Sequence, residues 1–123
     1  MKNSVYRKFC LIIISLVIFS VQIQAQNGWT LKTHIPSLRA CGTASVVDGK
    51  IYFIGGSYAL LVDAADNEMY DPLTDTWDTT LAPMPTPRGF LTSAVVNGII
   101  YAIGGGYPTA TVKNEAYNPV TNE

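Results

Sequence analysis

The side chains that could act as nucleophiles, bases or metal ligands are few in this 123-residue chain, and they are widely spaced. The one histidine, His34, precedes Pro36 and has no accompanying nucleophile and acid in a pattern typical of a catalytic triad. One histidine and two cysteines without ligand spacing do not make a zinc site. Asp63, Asp66 and Glu68 form an acidic cluster whose oxygens would suit Ca²⁺, although a solvated loop explains them as well. The sequence predicts no catalytic residue, no metal and no cofactor.

Two arginines and two glutamates recur at nearly constant spacing. Arg39 and Arg88 are 49 positions apart, and Glu68 and Glu115 are 47 apart. All four flank apolar runs, where a charged group needs a partner, so we expect ion pairs or hydrogen bonds between neighbouring strands. The functional alternative is that Arg39 and Arg88 line a channel and contact an anionic ligand, because a guanidinium group suits carboxylates.

These residues belong to a repeat that occupies most of the chain. The first copy spans about residues 39–77 and the second about residues 88–123. Each contains an arginine, two apolar runs joined by a two-residue turn, a double glycine and a tyrosine, in the same order. The turns, Asp48-Gly49 and Asn97-Gly98, are hairpin signals. The structural positions of the repeat are Gly55, Gly56, Tyr70 and Trp77 in the first copy and Gly104, Gly105 and Tyr117 in the second.

A period near 50 residues with a double glycine and a spaced tyrosine and tryptophan resembles the Kelch repeat. The resemblance covers about residues 29–123 and implies an all-β fold in which each copy is one four-stranded blade of a β-propeller. We predict strands at 41–47, at 50–54, around 68–70 and from 77, with a lone strand at 29–32. The 50–54 strand is apolar almost throughout, which is typical of a strand covered on both faces.

Two blades' worth of strands make an incomplete ring. The second copy stops one residue before the position that Trp77 occupies in the first. Propellers contain about four to eight blades, so we expect further blades in a longer chain or a ring made by association of several copies. A partly folded remnant with exposed strand edges is the third alternative.

The first 25 residues read as a signal peptide. A basic stretch with Lys2, Arg7 and Lys8 precedes an apolar run at 9–21, and Ala25 offers a small residue for cleavage. The run is shorter than the roughly 18 residues of a membrane span. We therefore predict a secreted, periplasmic or extracellular segment, residues 26–123, with no stable membrane span.

The predicted mature segment is mildly acidic. Residues 1–25 hold three of the eight Lys and Arg and none of the nine Asp and Glu, which leaves a net charge of about −4. No basic patch indicates a nucleic-acid partner.

Cys41 aligns with Phe90 of the second copy, so we interpret it as a small buried apolar residue.

The resemblance implies a recognition or scaffold module that binds protein or glycan partners through loops at one face of a propeller. The candidate loops are Ser57–Asn67 and Gly106–Asn114, because they differ between the copies while the strands repeat. Tyr58 and Tyr107 begin these loops and are candidate contact residues, with simple packing as the alternative. Galactose oxidase-like enzymes and sialic-acid mutarotases share the Kelch fold, so a fragment of a sugar-active enzyme is the alternative function. The copper site of a galactose oxidase-like enzyme needs several histidine and tyrosine ligands, and this chain has one histidine.

Overall fold

The computed structural model describes residues 28–59 and 62–123. The chain divides into one unit of residues 1–31 and a second of residues 32–123, and the fold below is that of the second unit. The predicted signal peptide lies outside the described residues and stays a prediction. Within the described ranges, no helix is long and apolar enough to span a membrane.

Seven antiparallel strands form two sheets in the described part of the chain. The first sheet has the strand order β1-β2-β3-β4 and the second has the order β5-β6-β7. The strands are β1 (Thr43–Val47), β2 (Lys50–Ile54), β3 (Asn67–Asp71), β4 (Thr76–Asp78), β5 (Thr92–Val96), β6 (Ile99–Ile103) and β7 (Asn114–Tyr117). The predicted all-β architecture is confirmed.

Each sheet begins with a two-residue hairpin. Asp48 and Gly49 have φ angles of 49° and 74°, and Asn97 and Gly98 have φ angles of 51° and 77°. Two consecutive residues with positive φ match the right-handed twist of the flanking strands. The predicted bounds of β2, residues 50–54, are confirmed. The hairpin turn precedes the first residue of the strand, and Gly55 follows the last.

Two predictions about strand position are wrong. The inner strand begins at Thr43 rather than Cys41, because Cys41 has a φ of 59°, which an extended strand does not accommodate. Residues 29–32 form no strand, and no described strand pairs with them. The interpretation of Cys41 as a buried residue is also wrong, because its side chain is exposed while its carbonyl accepts a hydrogen bond from Phe90 N at 2.7 Å.

A second type of turn recurs at the outer edge of the sheets. Asp71 Oδ1 accepts a hydrogen bond from the backbone N–H of Leu73, and Asn118 Oδ1 accepts one from Val120, both at 2.9 Å. Such Asx turns tie a short polar side chain to the backbone two residues later. The turn at the end of β3 is therefore repeated at the end of β7, although its residue types differ.

The segment that precedes each copy closes this turn. Tyr70 donates a hydrogen bond to Asp75 at 2.6 Å, and Asp75 also accepts from the Thr33 backbone at 2.9 Å. In the second copy Asn122 accepts from the Tyr117 hydroxyl and from the Ala82 backbone, at 2.9 and 2.8 Å. Thr33 and Ala82 are 49 residues apart, so the crossing segments follow the same period as the strands.

The core lies between the two sheets. Tyr52 and Ile54 of β2 pack with Ile100 and Ala102 of β6, all of them buried. The centroid of the Tyr117 ring lies 6.1 Å from that of Tyr52, at the outer side of the space between the two sheets. Apolar and aromatic side chains of this size supply most of the burial energy of a small core.

The expectation that β2 is covered on both faces is met on one face. Ile51 and Phe53 point away from the second sheet and are half-buried, and Val46 beside them is 60% exposed. The corresponding outer face of the second sheet exposes Val96 and Ile103. The reason is that each sheet of the described unit packs against one neighbouring sheet and not two.

Candidate functional site

The loops that follow the double glycines lie at one end of the two sheets. Gly56 N donates to the Arg88 carbonyl at 3.0 Å, and Gly106 N donates to the Gly89 carbonyl at 2.7 Å. These bonds join the loops of the two copies around the segment that enters β5. We call the surface formed by residues 55–59, 62–66, 88–91 and 104–107 the loop face.

The two predicted contact tyrosines lie on the loop face in different surroundings. Tyr58 donates a hydrogen bond to Asp66 within its own loop, and this bond is the main reason that its pKa is raised. Tyr107 is 56% exposed and packs against Phe90, which is 52% exposed, with ring centroids 5.8 Å apart. The second copy therefore presents an aromatic pair to solvent where the first has a polar contact. A contact role for either tyrosine stays a prediction.

The side chains of Arg39 and Arg88 are buried. Arg39 donates to Glu68 at 2.7 Å, and Arg88 donates to Glu115 at 2.5 Å, with 0% and 1% of the arginine side chains exposed. The expected ion pairs are thus present. An anion could reach either guanidinium only by displacing these partners, so this geometry lends no support to a ligand role, which stays a prediction.

The same guanidinium groups also hold the backbone at the end of the apolar strands. Arg39 donates to the carbonyls of Gly55 and Phe53 at 2.8 and 2.9 Å. Arg88 donates to the carbonyls of Gly104 and Ala102 at 2.7 and 2.9 Å, and to Thr86 O at 2.9 Å. Each arginine therefore fixes the double-glycine turn from within, which positions the loop that follows.

Burial and hydrogen bonding act on Glu115 in opposite directions. Burial raises the pKa of its carboxyl, but hydrogen bonds from Arg88 and Thr86 outweigh this effect and lower the pKa overall. The carboxylate is therefore ionised at neutral pH and serves as the counterion of Arg88. Glu68 takes the same position in the first sheet, where it also accepts a hydrogen bond from Ser37 at 2.5 Å.

The acidic cluster of the first loop is divided among separate partners. Asp63 accepts hydrogen bonds from Ser57 and from the Gly89 backbone, both at 3.0 Å. Asp66 accepts from Tyr58, and Glu68 pairs with Arg39. The three carboxylates thus serve the loop and the sheet, and no group of three potential metal ligands is found within residues 28–59 and 62–123.

The Kelch motif matches residues 38–85 and 87–123. These two stretches contain both sheets, both buried ion pairs and the whole loop face. The chain belongs to the Kelch-repeat family. Each sheet is one blade, and residues 79–87 form the crossing from the outer strand of the first blade to the inner strand of the second.

Two known proteins resemble this chain over part of their length. An F-box/kelch-repeat protein of Arabidopsis thaliana is 47% identical over 55 residues, which are 43% of this chain and 16% of that protein. The solved structure of YjhT matches with a TM-score of 0.62 and 25% identity, covering 76% of this chain and 28% of YjhT. The chain thus spans less than a third of either relative.

Two features of the Kelch blades were not predicted from the sequence. Phe90, which aligns with Cys41, is half of the exposed aromatic pair with Tyr107. The available signal was that Phe90 replaces Cys41 of the first copy beside otherwise repeated residues. Asn67 is buried between the blades, and nothing in its sequence context distinguishes it from the exposed Asn114 of the second copy.

Proposed function

We propose that the chain is an exported recognition module that binds a partner protein through the loop face. The observation that carries the proposal is the exposed Phe90–Tyr107 pair. It is an aromatic surface held in place by backbone hydrogen bonds on the residues next to both rings, Gly89 and Gly106. Exposed tyrosines on a preorganised support are frequent anchors of protein interfaces.

The difference between the repeated strands and the variable loops supports this proposal. The arginines and glutamates of the two blades form the same buried ion pairs in both copies, and they stabilise the fold. The loops at the double glycines differ in length and charge. Variation in the loops changes the recognised surface while the frame stays the same.

A protein partner fits the aromatic pair better than a sugar does. The two rings are tilted by 45° and cover part of each other, so neither offers a fully open face for stacking on a pyranose. A side chain of a partner can instead pack across both rings. Glycan binding is therefore treated as an outcome of the test.

The test is a binding measurement with a matched control. A partner captured from the extracellular fraction is titrated against the chain and against Tyr107→Ala and Leu73→Ala. Leu73 is also an exposed apolar residue, but it lies in the turn at the opposite end of the first blade. We expect Tyr107→Ala to weaken binding at least tenfold and Leu73→Ala to leave it unchanged. Equal effects of the two changes would contradict the proposal, and a glycan-array signal lost only in Tyr107→Ala would assign the face to glycans.

Export is the second part of the proposal, and the composition of residues 1–25 supports it. Expression with and without these residues tests it. We expect the full chain to be recovered outside the cytoplasm with Gln26 as its first residue, while the shortened chain stays inside. Recovery of the unprocessed full chain in the cytoplasm would contradict export.

The outer faces of the two blades support association with further blades. Val46 on the first blade and Val96 and Ile103 on the second are exposed apolar residues on strands. Either further blades of a longer chain or other copies of this chain would cover them. Light scattering on residues 26–123 tests the second source, for which we expect a multiple of the chain mass. A cooperatively unfolding monomer, with no further blade encoded downstream, would contradict both.

The alternative function, a sugar-active enzyme of the Kelch fold, rests on the fold alone. A fold does not determine chemistry, and catalysis must be argued from a site. The buried charged side chains form the Arg39–Glu68 and Arg88–Glu115 pairs, in which each arginine is hydrogen-bonded to its glutamate and to backbone carbonyls. Recognition is therefore the function that we propose for these blades.

A further inference from the structure

A cavity of about 90 Å³ lies between the two blades, beneath the crossing segment. Most of its wall is apolar, and the apolar residues include Ile54 of the first blade, Ile100 and Ala102 of the second, and Met84 of the crossing. These four residues are buried, so the cavity adjoins the main core. The cavity differs from the loop face in its side chains, because its walls are mainly aliphatic whereas the loop face carries exposed aromatic rings.

One polar side chain of the cavity has an unused acceptor. Asn67 is 4% exposed, and its Nδ2 donates a hydrogen bond to the Ala82 carbonyl at 3.3 Å. Its Oδ1 has no hydrogen-bond partner among the described residues. Because Nδ2 faces a carbonyl, exchanging the two amide atoms would place two acceptors together, so the contact with Ala82 favours this orientation of the amide. Buried polar atoms of folded proteins are normally hydrogen-bonded, and Oδ1 requires a donor.

Two of the other polar side chains around the cavity are already engaged, and a third, Glu123, is exposed to solvent. The Glu115 carboxylate accepts from Arg88 at 2.5 Å, which compensates its charge. The Tyr117 hydroxyl donates to Asn122 at 2.9 Å. The buried acceptor without a partner is thus the neutral amide oxygen of Asn67, which favours a neutral donor over a cation.

We propose that this cavity binds a small neutral ligand that carries one hydroxyl group beside a short aliphatic group. The hydroxyl donates to Asn67 Oδ1, and the aliphatic group packs against Met84 and Ile100. An apolar cavity of about 150 Å³ accommodates benzene, so a cavity of about 90 Å³ takes a ligand of fewer than six non-hydrogen atoms. This inference does not depend on the proposed function of the loop face.

A pair of probes with the same shape tests the hydroxyl requirement. 2-Propanol carries a donor, whereas acetone has nearly the same size and accepts hydrogen bonds only. Titration of the wild-type chain is followed by NMR on the Met84 methyl group and on the Asn67 side-chain amide. We expect saturable shifts with 2-propanol and a dissociation constant about fivefold lower than for acetone, the value of one hydrogen bond. Equal affinities, or no saturable shift with either probe, would overturn the proposal.

Three variants locate the response. Asn67→Leu keeps the approximate volume and removes the acceptor, so we expect the preference for 2-propanol over acetone to disappear. Asn114→Leu changes the equivalent first residue of β7, which is exposed, and should leave the preference intact. Ala102→Leu fills the cavity and should abolish binding of both probes. A preference that persists in Asn67→Leu would overturn the assignment to Asn67, and if this variant fails to fold, the comparison of probes on the wild-type chain decides.

Discussion

The guanidinium of Arg88 donates to the carboxylate of Glu115 across 2.5 Å, inside the second blade and beneath the double-glycine turn. The same group donates to the carbonyls of Gly104 and Ala102, so one side chain joins β7 to the end of β6. Arg39 makes the corresponding contacts in the first blade. A buried arginine that satisfies a carboxylate and several carbonyls is part of the frame of each blade.

Removal of this arginine should destabilise the chain strongly. Arg88→Met leaves the Glu115 carboxylate and three carbonyl oxygens without their donor in a buried site. We expect the free energy of unfolding to fall by about 3–5 kcal/mol, as for other broken buried ion pairs. Urea denaturation followed by tryptophan fluorescence measures the change, with the exposed Lys113→Met as control. A loss within about 1 kcal/mol of the control would mean that the pair contributes no more than a surface charge.

Reversal of the pair should not restore stability. In Arg88→Glu with Glu115→Arg the opposite charges are retained, but the new carboxylate at position 88 faces carbonyl oxygens and cannot donate to them. We expect the double variant to be no more stable than Arg88→Glu alone in the same urea denaturation. Recovery of more than half of the lost stability would show that charge pairing, rather than donation to the backbone, is the main contribution of Arg88.

Acid should weaken the contact between the first blade and the segment before it through Asp75. Hydrogen bonds from the Tyr70 hydroxyl and then from the Thr33 backbone lower the pKa of Asp75 below its ordinary value of 3.8. A carboxyl with a lowered pKa in the folded state contributes stability above its ordinary pKa, and this stability is lost as the pH falls through the folded pKa. The loss is therefore expected below pH 3.8.

The second copy supplies the control for this acid effect. Asn122 occupies the place of Asp75 and accepts the same two hydrogen bonds without a titrating group. We expect Asp75→Asn to reduce the fall in urea midpoint between about pH 5 and about pH 2, and Asn122→Asp to increase it. Some acid dependence should persist, because the pKa values of Asp78 and Glu115 are lowered as well. An unchanged slope in Asp75→Asn would contradict the assignment.

The strands were predictable where local turn signals bound them on both sides. β2 was located to the residue because Asp48-Gly49 precedes it and Gly55-Gly56 follows it, and both signals act through backbone conformation. The sequence predicts the start of β1 two residues too early because Cys41 has a positive φ, as the equivalent Phe90 has in the second copy. Neither cysteine nor phenylalanine is a residue type that indicates this conformation, so the sequence carries no signal for it.

The site was predictable only in outline. Recurrence of Arg39, Arg88, Glu68 and Glu115 indicated ion pairs, because buried charges require partners, but it carried no information on which carbonyls complete each set. The pairing of Phe90 with Tyr107 and the unused acceptor of Asn67 depend on how two blades meet in space. Such contacts follow from the tertiary arrangement and not from the spacing of residues within a copy.

The last prediction concerns the close approach of two loops at Gly105. This residue has a φ of 94°, and a Cβ there would lie 2.6 Å from the Gly89 carbonyl oxygen, a backbone atom that cannot move aside cheaply. Gly98 of the same blade has a φ of 77° but no heavy atom within 4 Å of a Cβ. The two positions therefore share the conformational cost of alanine and differ in the steric cost.

We expect Gly98→Ala to lower the free energy of unfolding by about 1–2 kcal/mol, from the left-handed conformation alone. Gly105→Ala should lower it by about 3 kcal/mol or more, because the loop must also move away from Gly89 and lose the 2.7 Å hydrogen bond from Gly106 N. Urea denaturation gives both values, and amide hydrogen exchange at Gly106 reports the local opening. Equal losses in the two variants, with Gly106 still protected in Gly105→Ala, would show that the loops do not depend on this contact.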